Sequence, residues 1–412
     1  MAKVDIKMTD GGVASARGFR AAGAAGGIKY KGRDDVALVV ADVPCSAAAV
    51  FTTNKVAAAP VVYDRALLGG KGFARGIRAV VANSGCANAC TGKGGLADAE
   101  LSALVAAGEI GATPGSVLVA STGVIGRRLP MDRLLDGIRK AARSLGADSA
   151  HGLAAARAVM TTDTKPKQAC ATCSVGGKKV IVGGMVKGSG MIEPNMATML
   201  GFVTTDAAIS PAALKRALAL AVSKSFNRLV VDGDESTNDS LFALASGLAG
   251  NAEITRGGAD FEAFRGALEA VCISLARQMA ADGEGATKFV TVTVKGAKSE
   301  KDAARAARAV AKSPLAKTSW FGRDPNWGRV LAAVGYSGAE VEDSEAEVFY
   351  DGVWAFRKGT VADDRQLDKL AKVMEKDEFE VVVDLHLGRH SSSIYTCDFS
   401  LDYVHINADY TT

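Results

Sequence analysis

The sequence predicts an α/β protein. Short apolar runs with strand composition recur from residue 36 to residue 387. Between them lie segments whose apolar residues return every three or four positions, the period of a helix with one buried face. The third observation is length: 412 residues suffice for two or three domains with a sizeable core.

In chain order, residues 36–40 and 48–51 read as strands separated by Asp42-Val43-Pro44, and the run from Thr52 to Pro60 reads as a loop. Residues 77–82 form the next strand. It ends in Asn83-Ser-Gly-Cys-Ala-Asn-Ala-Cys-Thr-Gly92, small polar groups that suit either close approach of backbone to a ligand or a plain strand-to-helix turn. Helical spacing follows over 96–110. Strand 116–120 runs into Ser121-Thr-Gly-Val-Ile-Gly126, where backbone N–H groups and a threonine hydroxyl can converge on one point, as an oxyanion stabiliser requires. Helices are expected over 130–145 and 151–159, the second running into Met160-Thr-Thr-Asp-Thr164, three hydroxyls around one carboxylate or an ordinary Asx-type turn.

Cys170-Ala-Thr-Cys173 is half a zinc site at best. No matching pair of cysteines or histidines accompanies it, so we expect no metal and place both cysteines on one face of a strand. Strand 179–182 leads to the midpoint stretch Lys187-Gly-Ser-Gly-Met-Ile-Glu-Pro-Asn-Met-Ala-Thr198, and strand 199–205 follows it. Ser210-Pro211 is an N-cap with proline at the first helical position. The acidic loop Asp232-Gly-Asp-Glu-Ser-Thr-Asn-Asp239 lacks the terminal glutamate of a calcium loop and reads as a structural or substrate-proximal turn. Asp260 is expected to cap a helix with Phe261, Phe264, Leu268, Val271, Leu275 and Met279 on one stripe. That helix stops at Asp282-Gly-Glu-Gly-Ala-Thr-Lys288, where Glu284 is either positioned toward a substrate or part of a solvated turn. Strand 289–294 and an alanine-rich helix over 299–310 open the last part. There Gly322-Arg-Asp-Pro-Asn-Trp-Gly-Arg329 reads as an interface or carboxylate loop. The end reads as β-rich over 379–387, 391–394 and 404–407.

Bulk properties exclude several functions. Lys plus Arg number 49 against 45 Asp plus Glu, a net charge of +4, and aromatics make up 6%. This balance disfavours a dedicated nucleic-acid surface. No apolar run reaches membrane-spanning length. Charges through Met1-Ala-Lys-Val-Asp-Ile-Lys7 fill the place where a secretory leader needs an apolar run. The 7 scattered cysteines suit a reducing compartment. We therefore expect a cytoplasmic globular protein that binds neither nucleic acid nor membrane.

In the midpoint stretch, Ala197-Thr198 follows flexible backbone and turn residues with neither a cap nor a strand entry between. A threonine hydroxyl is a poor nucleophile unless a base lies beside it. One solution is to make it the first residue of a chain, so that its own α-amine, with a pKa of roughly 7.7–8.0, serves as base. Cleavage between Ala197 and Thr198 is one reading. A glycine-rich loop entering a strand is the other.

Taken together, these motifs resemble the ornithine acetyltransferase family, the bifunctional glutamate N-acetyltransferases of arginine biosynthesis. The resemblance rests on Phe51-Thr-Thr-Asn54, Ala59-Pro60-Val61, Asn83 to Asn88 with Thr91-Gly92, Ser121 to Gly126 and Met160 to Thr164. It continues through Lys187 to Ile192, Pro194 to Leu200, Val231 to Asp234, Ser236 to Asp239, Gly283 to Lys288, Asp324 to Arg329 and Asn407 to Thr412. These appear in family order from about residue 18 to the end. The sequence departs from the family at Cys86, where asparagine is usual, and Glu193 occupies a variable position.

The resemblance implies a layered α-β-β-α sandwich over 1–288, with a C-terminal α+β domain over 289–412. It implies self-cleavage at Ala197-Thr198 into chains 1–197 and 198–412, associated as a heterotetramer of two of each. Thr198 would be the nucleophile and acetyl acceptor, and Thr122 and Gly123 the oxyanion hole. Thr161, Lys187, Thr198, Glu284, Asn407 and Thr412 would hold the amino-acid substrate, with Lys187 and Glu284 as anchors of opposite sign. Gly188 and Gly190 would give the backbone freedom to bend for cleavage. The implied reaction is ping-pong acetyl transfer from N-acetylornithine to glutamate without a cofactor, acetyl-CoA standing open as a co-substrate. Two alternatives remain: a self-processing aminopeptidase or amidase sharing the fold and nucleophile, and a non-enzymatic binding protein.

Overall fold

The computed structural model describes residues 6–193 and 199–409; Ala197, Thr198 and Thr412 lie outside them. Among the described residues, nine strands form one sheet: β1 (Lys7–Thr9), β2 (Phe19–Ala24), β3 (Val36–Phe51), β4 (Phe73–Asn83), β5 (Val117–Ser121), β6 (Lys167–Val175), β7 (Lys178–Lys187), β8 (Leu200–Thr205) and β9 (Ser240–Ala245). Their order is β1-β6-β7-β8-β9-β3-β4-β5, with β2 beside β3. Helices α1 (Ala59–Leu67), α2 (Gly92–Glu109), α3 (Met131–Arg143), α4 (Ser149–Ala158) and α5 (Pro211–Lys224) lie in the connections between them, and α6 (Ala259–Ala281) follows β9.

The sheet turns back on itself at β3. Residues 36–41 of that strand pair with β2, residues 46–51 pair with β9, and β4 runs beside both parts. Alternation along each strand then sorts side chains into layers. Ala37, Val39, Val80, Ala82, Leu118 and Ala120 meet Met185, Leu200, Phe202, Phe242 and Leu244 in a core between the two halves. Their neighbours Val36, Leu38, Val40, Val81 and Val119 face α2 and α3. On the far side Val182, Val203, Leu241 and Ala243 pack with residues of α5 and α6. The order is helix, sheet, sheet, helix, as the layered sandwich requires. The expected α6 stripe, Phe261 to Met279, is buried throughout.

A second sheet, β13-β12-β11-β14-β10-β15, follows: β10 (Phe289–Ala297), β11 (Glu347–Tyr350), β12 (Val353–Arg357), β13 (Thr360–Val361), β14 (Glu378–Asp384) and β15 (His390–Cys397). It shares a separate core with α7 (Glu300–Lys312), α8 (Pro314–Phe321), α9 (Trp327–Gly335) and α10 (Asp364–Met374). The last element, α11 (Leu401–Asp409), leaves this sheet and returns to the first unit.

Several local expectations are corrected. Residues 36–51 are one strand, because a register irregularity between Val40 and Cys45 absorbs the proline break. Residues 59–60 open α1, with proline at an N-terminal position that needs no amide donor. Cys170 and Cys173, three apart on β6, fall on opposite faces under the two-residue period; Cys173 alone joins the α6-side core. Asp260 does not cap α6. The cap is Gly258, and the Asp260 carboxylate accepts the Gly176 N–H at 2.8 Å. Residues 404–407 belong to helix α11 rather than a strand. Trp327 stacks on Phe356 at 4.4 Å and Arg329 donates to the Leu315 carbonyl, so this loop packs within its own unit.

Candidate active site

Thr122, Gly123, Thr161, Lys187, Glu284 and Asn407, drawn from widely separated segments, line one cavity of about 120 Å³. The end of β5, the end of β7, the loop before β9, the turn after α6 and helix α11 converge there. Thr122 and Gly123 emerge from β5 on a fixed frame. The Thr122 N–H donates to the Asn83 carbonyl at 3.0 Å, and the Ser121 hydroxyl to Asn83 Oδ1 at 2.7 Å. Asn238 closes the frame from the other side, its Nδ2 donating to the carbonyls of Ala87 (2.6 Å) and Ser121 (2.7 Å). At Gly123 φ is 129°, and a Cβ would lie 2.4 Å from the Gly85 carbonyl carbon. Only glycine lets this turn close against the 83–88 loop.

The Lys187 ammonium donates to Thr122 Oγ1 at 3.1 Å, both groups buried. Because that oxygen already accepts, its own proton is available to donate toward the cavity. A hydroxyl polarised by a cation beside a backbone N–H is a competent oxyanion stabiliser. Burial lowers the Lys187 pKa, and the Asp163 carboxylate partly offsets this.

Asp163 is the hub beneath the cavity. Its Oδ1 accepts from Lys167 Nζ and the Gly188 N–H, both at 2.7 Å, and its Oδ2 accepts the Thr161 N–H at 3.1 Å. Burial would push this carboxyl up, but the charges of Lys167 and Lys187 with the Gly188 hydrogen bond bring it down to about 2. Lys167 also donates to Asp282 at 2.5 Å, and Asp282 accepts the Thr164 N–H at 3.1 Å. The loop carrying Thr161 and the start of the 188–193 segment thus hang on one buried ionic network.

Glu284 enters from the turn after α6, its N–H donating to the Ser189 carbonyl at 2.8 Å and its Oε2 accepting from Asn407 Nδ2 at 2.9 Å. Gly190 is what lets it approach, since a Cβ there would stand 2.3 Å from the Glu284 carboxyl carbon. At that glycine the structure shows close packing against Glu284. The 232–239 loop is both structural and cavity-lining. Asp232 accepts the N–H groups of Met191 (2.5 Å) and Ile192 (2.8 Å), while Ser236, Thr237 and Asn238 reach the cavity. Burial pushes Asp232 up to about 6. Asp239, fully buried, accepts the Met199 N–H at 3.1 Å, and burial raises its pKa well above the carboxylate range. The first described residue after the proposed cleavage point is therefore fixed next to the cavity.

Sequence reasoning missed Asn238, Asp239, Lys167 and Asp282 as site components and noted Asp163 only as part of a polar cluster. The one available signal was the density of hydrogen-bonding residues in the 232–239 loop. Among the described residues, no cluster of His, Cys, Asp and Glu could hold a metal ion. The arrangement brings a hydroxyl, a backbone N–H, a buried cation and a half-buried carboxylate with a neighbouring amide to one cavity. That set suits acyl chemistry on a substrate carrying its own charges.

Comparison with known proteins agrees with the motif resemblance. The model of the ArgJ family matches residues 20–412. The arginine biosynthesis bifunctional protein ArgJ of Symbiobacterium thermophilum is 52% identical over 98% of this chain and 99% of its own. Its counterpart in Geobacter sulfurreducens is 50% identical over 96% and 99%. The glutamate N-acetyltransferase of Methanocaldococcus jannaschii is 45% identical over 99% and 100%. A family match over nearly the whole chain, with relatives this similar end to end, means that the chain belongs to the ArgJ family.

Proposed function

We propose that the chain transfers an acetyl group from N-acetylornithine to glutamate in arginine biosynthesis, through an ester on Thr198. The observation that carries this reading is the convergence of Thr122, Gly123, Thr161, Lys187, Glu284 and Asn407 on one cavity in a member of this family. Thr198 is reached in two steps. Its hydroxyl oxygen bonds to the Ala197 carbonyl carbon while its proton passes to the Thr198 nitrogen, and the peptide C–N bond breaks to leave an ester and a free α-amine. Water then splits the ester into the Ala197 carboxylate and the Thr198 hydroxyl.

In the transfer reaction the freed amine takes the hydroxyl proton as Thr198 attacks the acetyl carbonyl. Negative charge on the carbonyl oxygen is met by the Thr122 hydroxyl and the Gly123 N–H. Ornithine leaves with that proton, glutamate attacks the acetyl ester, and Thr198 is regenerated. Glu284 and Asn407, with Thr161, Lys187 and Thr412, hold the amino-acid portion. All the groups this chemistry needs come from the chain, so no cofactor takes part; acetyl-CoA is a second donor to test beside N-acetylornithine.

The fragments 1–197 and 198–412 stay together because the sheet crosses the cut. β7 pairs with β8 from Val182↔Thr205 to Lys187↔Leu200, and β3 pairs with β9 from Ser46↔Ala245 to Phe51↔Ser240. We take the working assembly to be two copies of each fragment, and the seven free cysteines to suit a cytoplasmic site. No helix among the described residues is long and apolar enough to cross a membrane. The test is intact mass of wild type and Thr198→Ala, followed by an acetyl-transfer assay. Two fragments and transfer to glutamate are expected for wild type, and neither for the variant. An uncut, active wild type refutes the mechanism, and release of free acetate without transfer points instead to a hydrolase.

A further inference from the structure

Glu193, the last described residue before the proposed cleavage point, is 1% exposed although it carries a carboxylate. Its partners come from the second unit. Arg308 Nε donates to Glu193 Oε1 at 2.6 Å, Arg308 Nη2 also pairs with that oxygen, and Lys312 Nζ lies 3.2 Å from it. Both cations stand on α7, whose opposite side, through Ala303, Ala306, Ala307 and Val310, is embedded in the core of the six-stranded sheet. The backbone leading to Glu193 is held as well. The Ile192 N–H donates to Asp232, and the Ile192 carbonyl accepts the Val231 N–H at 2.9 Å. Pro194 follows and disfavours helical backbone at Glu193. Downstream, the Met199 N–H is bonded to Asp239, and β8 begins at the next residue.

The stretch containing the scissile bond is thus anchored at both ends on different bodies: on α7 through charge, and on the central sheet through backbone. None of the acetyl-transfer roles uses Glu193, Arg308 or Lys312, and none of the three lines the cavity. A buried carboxylate with two cations is costly to desolvate and needs a reason for its place. We propose that Glu193, gripped by Arg308 and Lys312, is a positioning residue for self-cleavage: it holds the upstream side of the Ala197–Thr198 bond while the hydroxyl attacks. The inference rests on the self-processing reading given above. Attack of a threonine hydroxyl on the carbonyl just before it closes a five-membered ring and twists the peptide. Unless the upstream chain is tethered, that distortion relaxes by sliding of the segment instead of persisting at the carbonyl. The tether also makes the second unit a participant in maturation, because α7 supplies both cations.

The experiment follows cleavage of the full chain with time after cell-free synthesis, by denaturing gel and intact mass, with thermal melting of each uncut or cut product. The variants are Glu193→Gln, the charge-removing pair Arg308→Gln/Lys312→Gln, the charge-keeping pair Arg308→Lys/Lys312→Arg, and the control Arg305→Gln on the same helix. The first two should cut roughly tenfold or more slowly than wild type, as expected when a buried ion loses its partners. The charge-keeping pair and the control should cut at close to the wild-type rate. Equal rates for wild type and the charge-removing variants overturn the tether while leaving self-processing intact. Slow cutting by the charge-keeping pair as well, in step with a lowered melting temperature, also overturns it, since fold and not charge would then set the rate. A wild-type chain that stays whole removes the self-processing reading and the tether with it.

Discussion

Replacing Asp163 by asparagine tests the electrostatic design of the cavity floor. The carboxylate has a side chain with 0% exposure and takes three hydrogen bonds, from Lys167, Gly188 and Thr161. Asparagine keeps one acceptor oxygen and turns the other position into a donor. One of the Gly188 and Thr161 N–H groups then faces another N–H. Lys167 retains only Asp282 as its ionic partner. Removing one member of a buried ionic network costs about 3–5 kcal/mol, and this is the expected loss of unfolding free energy near neutral pH.

The pH dependence carries a second, sharper signature. A carboxyl held at about 2 against its usual 3.8 contributes about 2 kcal/mol. Its folded-state pKa is depressed, so this contribution is present above pH 3.8 and is lost as pH falls toward 2. Asp163→Asn should lack that acid-side loss in a denaturant series run at several pH values. Lys187 should respond too, because Asp163 is the largest influence keeping its ammonium charged. Without it, the alkaline limb of acetyl transfer should move to lower pH. A variant with wild-type stability and an unmoved pH profile would refute the argument that Asp163 organises both the loop and the lysine.

Two further substitutions probe the cavity walls. Gly123→Ala should lower kcat by about 10²–10³-fold with the far-ultraviolet spectrum retained, the usual result of losing one oxyanion donor, because its Cβ would lie 2.4 Å from the Gly85 carbonyl carbon and 2.6 Å from the Cys86 nitrogen; unchanged kcat would show that the turn does not face the reacting oxygen. Glu284→Gln preserves size and an acceptor for Asn407 but removes charge, so steady-state kinetics should show KM for the amino-acid substrate raised about 10–100-fold, as for a charged hydrogen bond worth about 1.5–3 kcal/mol. A fall in kcat with constant KM would assign Glu284 to the chemistry instead of to binding.

What the sequence revealed depended on how local each signal was. The β5 end, Ser121-Thr-Gly123, was legible because a strand pattern running into glycine constrains backbone direction within a few residues. The layers were implied by the family resemblance alone; two-residue alternation is how the strands realise them, as in Val80 and Val81 of β4, which enter different cores. The partners of Lys167 and Asn238 were not legible. Asp282 lies 115 positions from Lys167, and Ser121 lies 117 from Asn238, so only the folded sheet brings them together. Helix α11 was misread because Val404 and Ile406 alternate with polar residues as a strand would. None of its residues is buried, so it carries no apolar stripe to reveal the helical period. Gly190 shows a different limit. A sequence shows that a side chain is absent, and only the structure shows that the space is filled by the Glu284 carboxylate.

The connection between β7 and β8 would let the proposed cut leave the fold intact. The strands are antiparallel neighbours paired up to Lys187↔Leu200, a geometry that a turn of two residues can close. Residues 188–199 make a far longer connection, and long connections in compact domains usually serve function. The described part of this one is fastened by bonds that do not pass through the proposed cleavage point. Asp163 holds Gly188, Asp232 holds Met191 and Ile192, Arg308 and Lys312 hold Glu193, and Asp239 holds Met199. These contacts and the ladder hold both sides of the proposed cleavage point independently of the Ala197–Thr198 link. The proposed break would therefore free an amine one residue from Met199, a Cα spacing of about 3.8 Å, and leave the β7–β8 ladder paired. A threonine placed anywhere within β8 itself could not be released this way, because its amide would belong to the ladder.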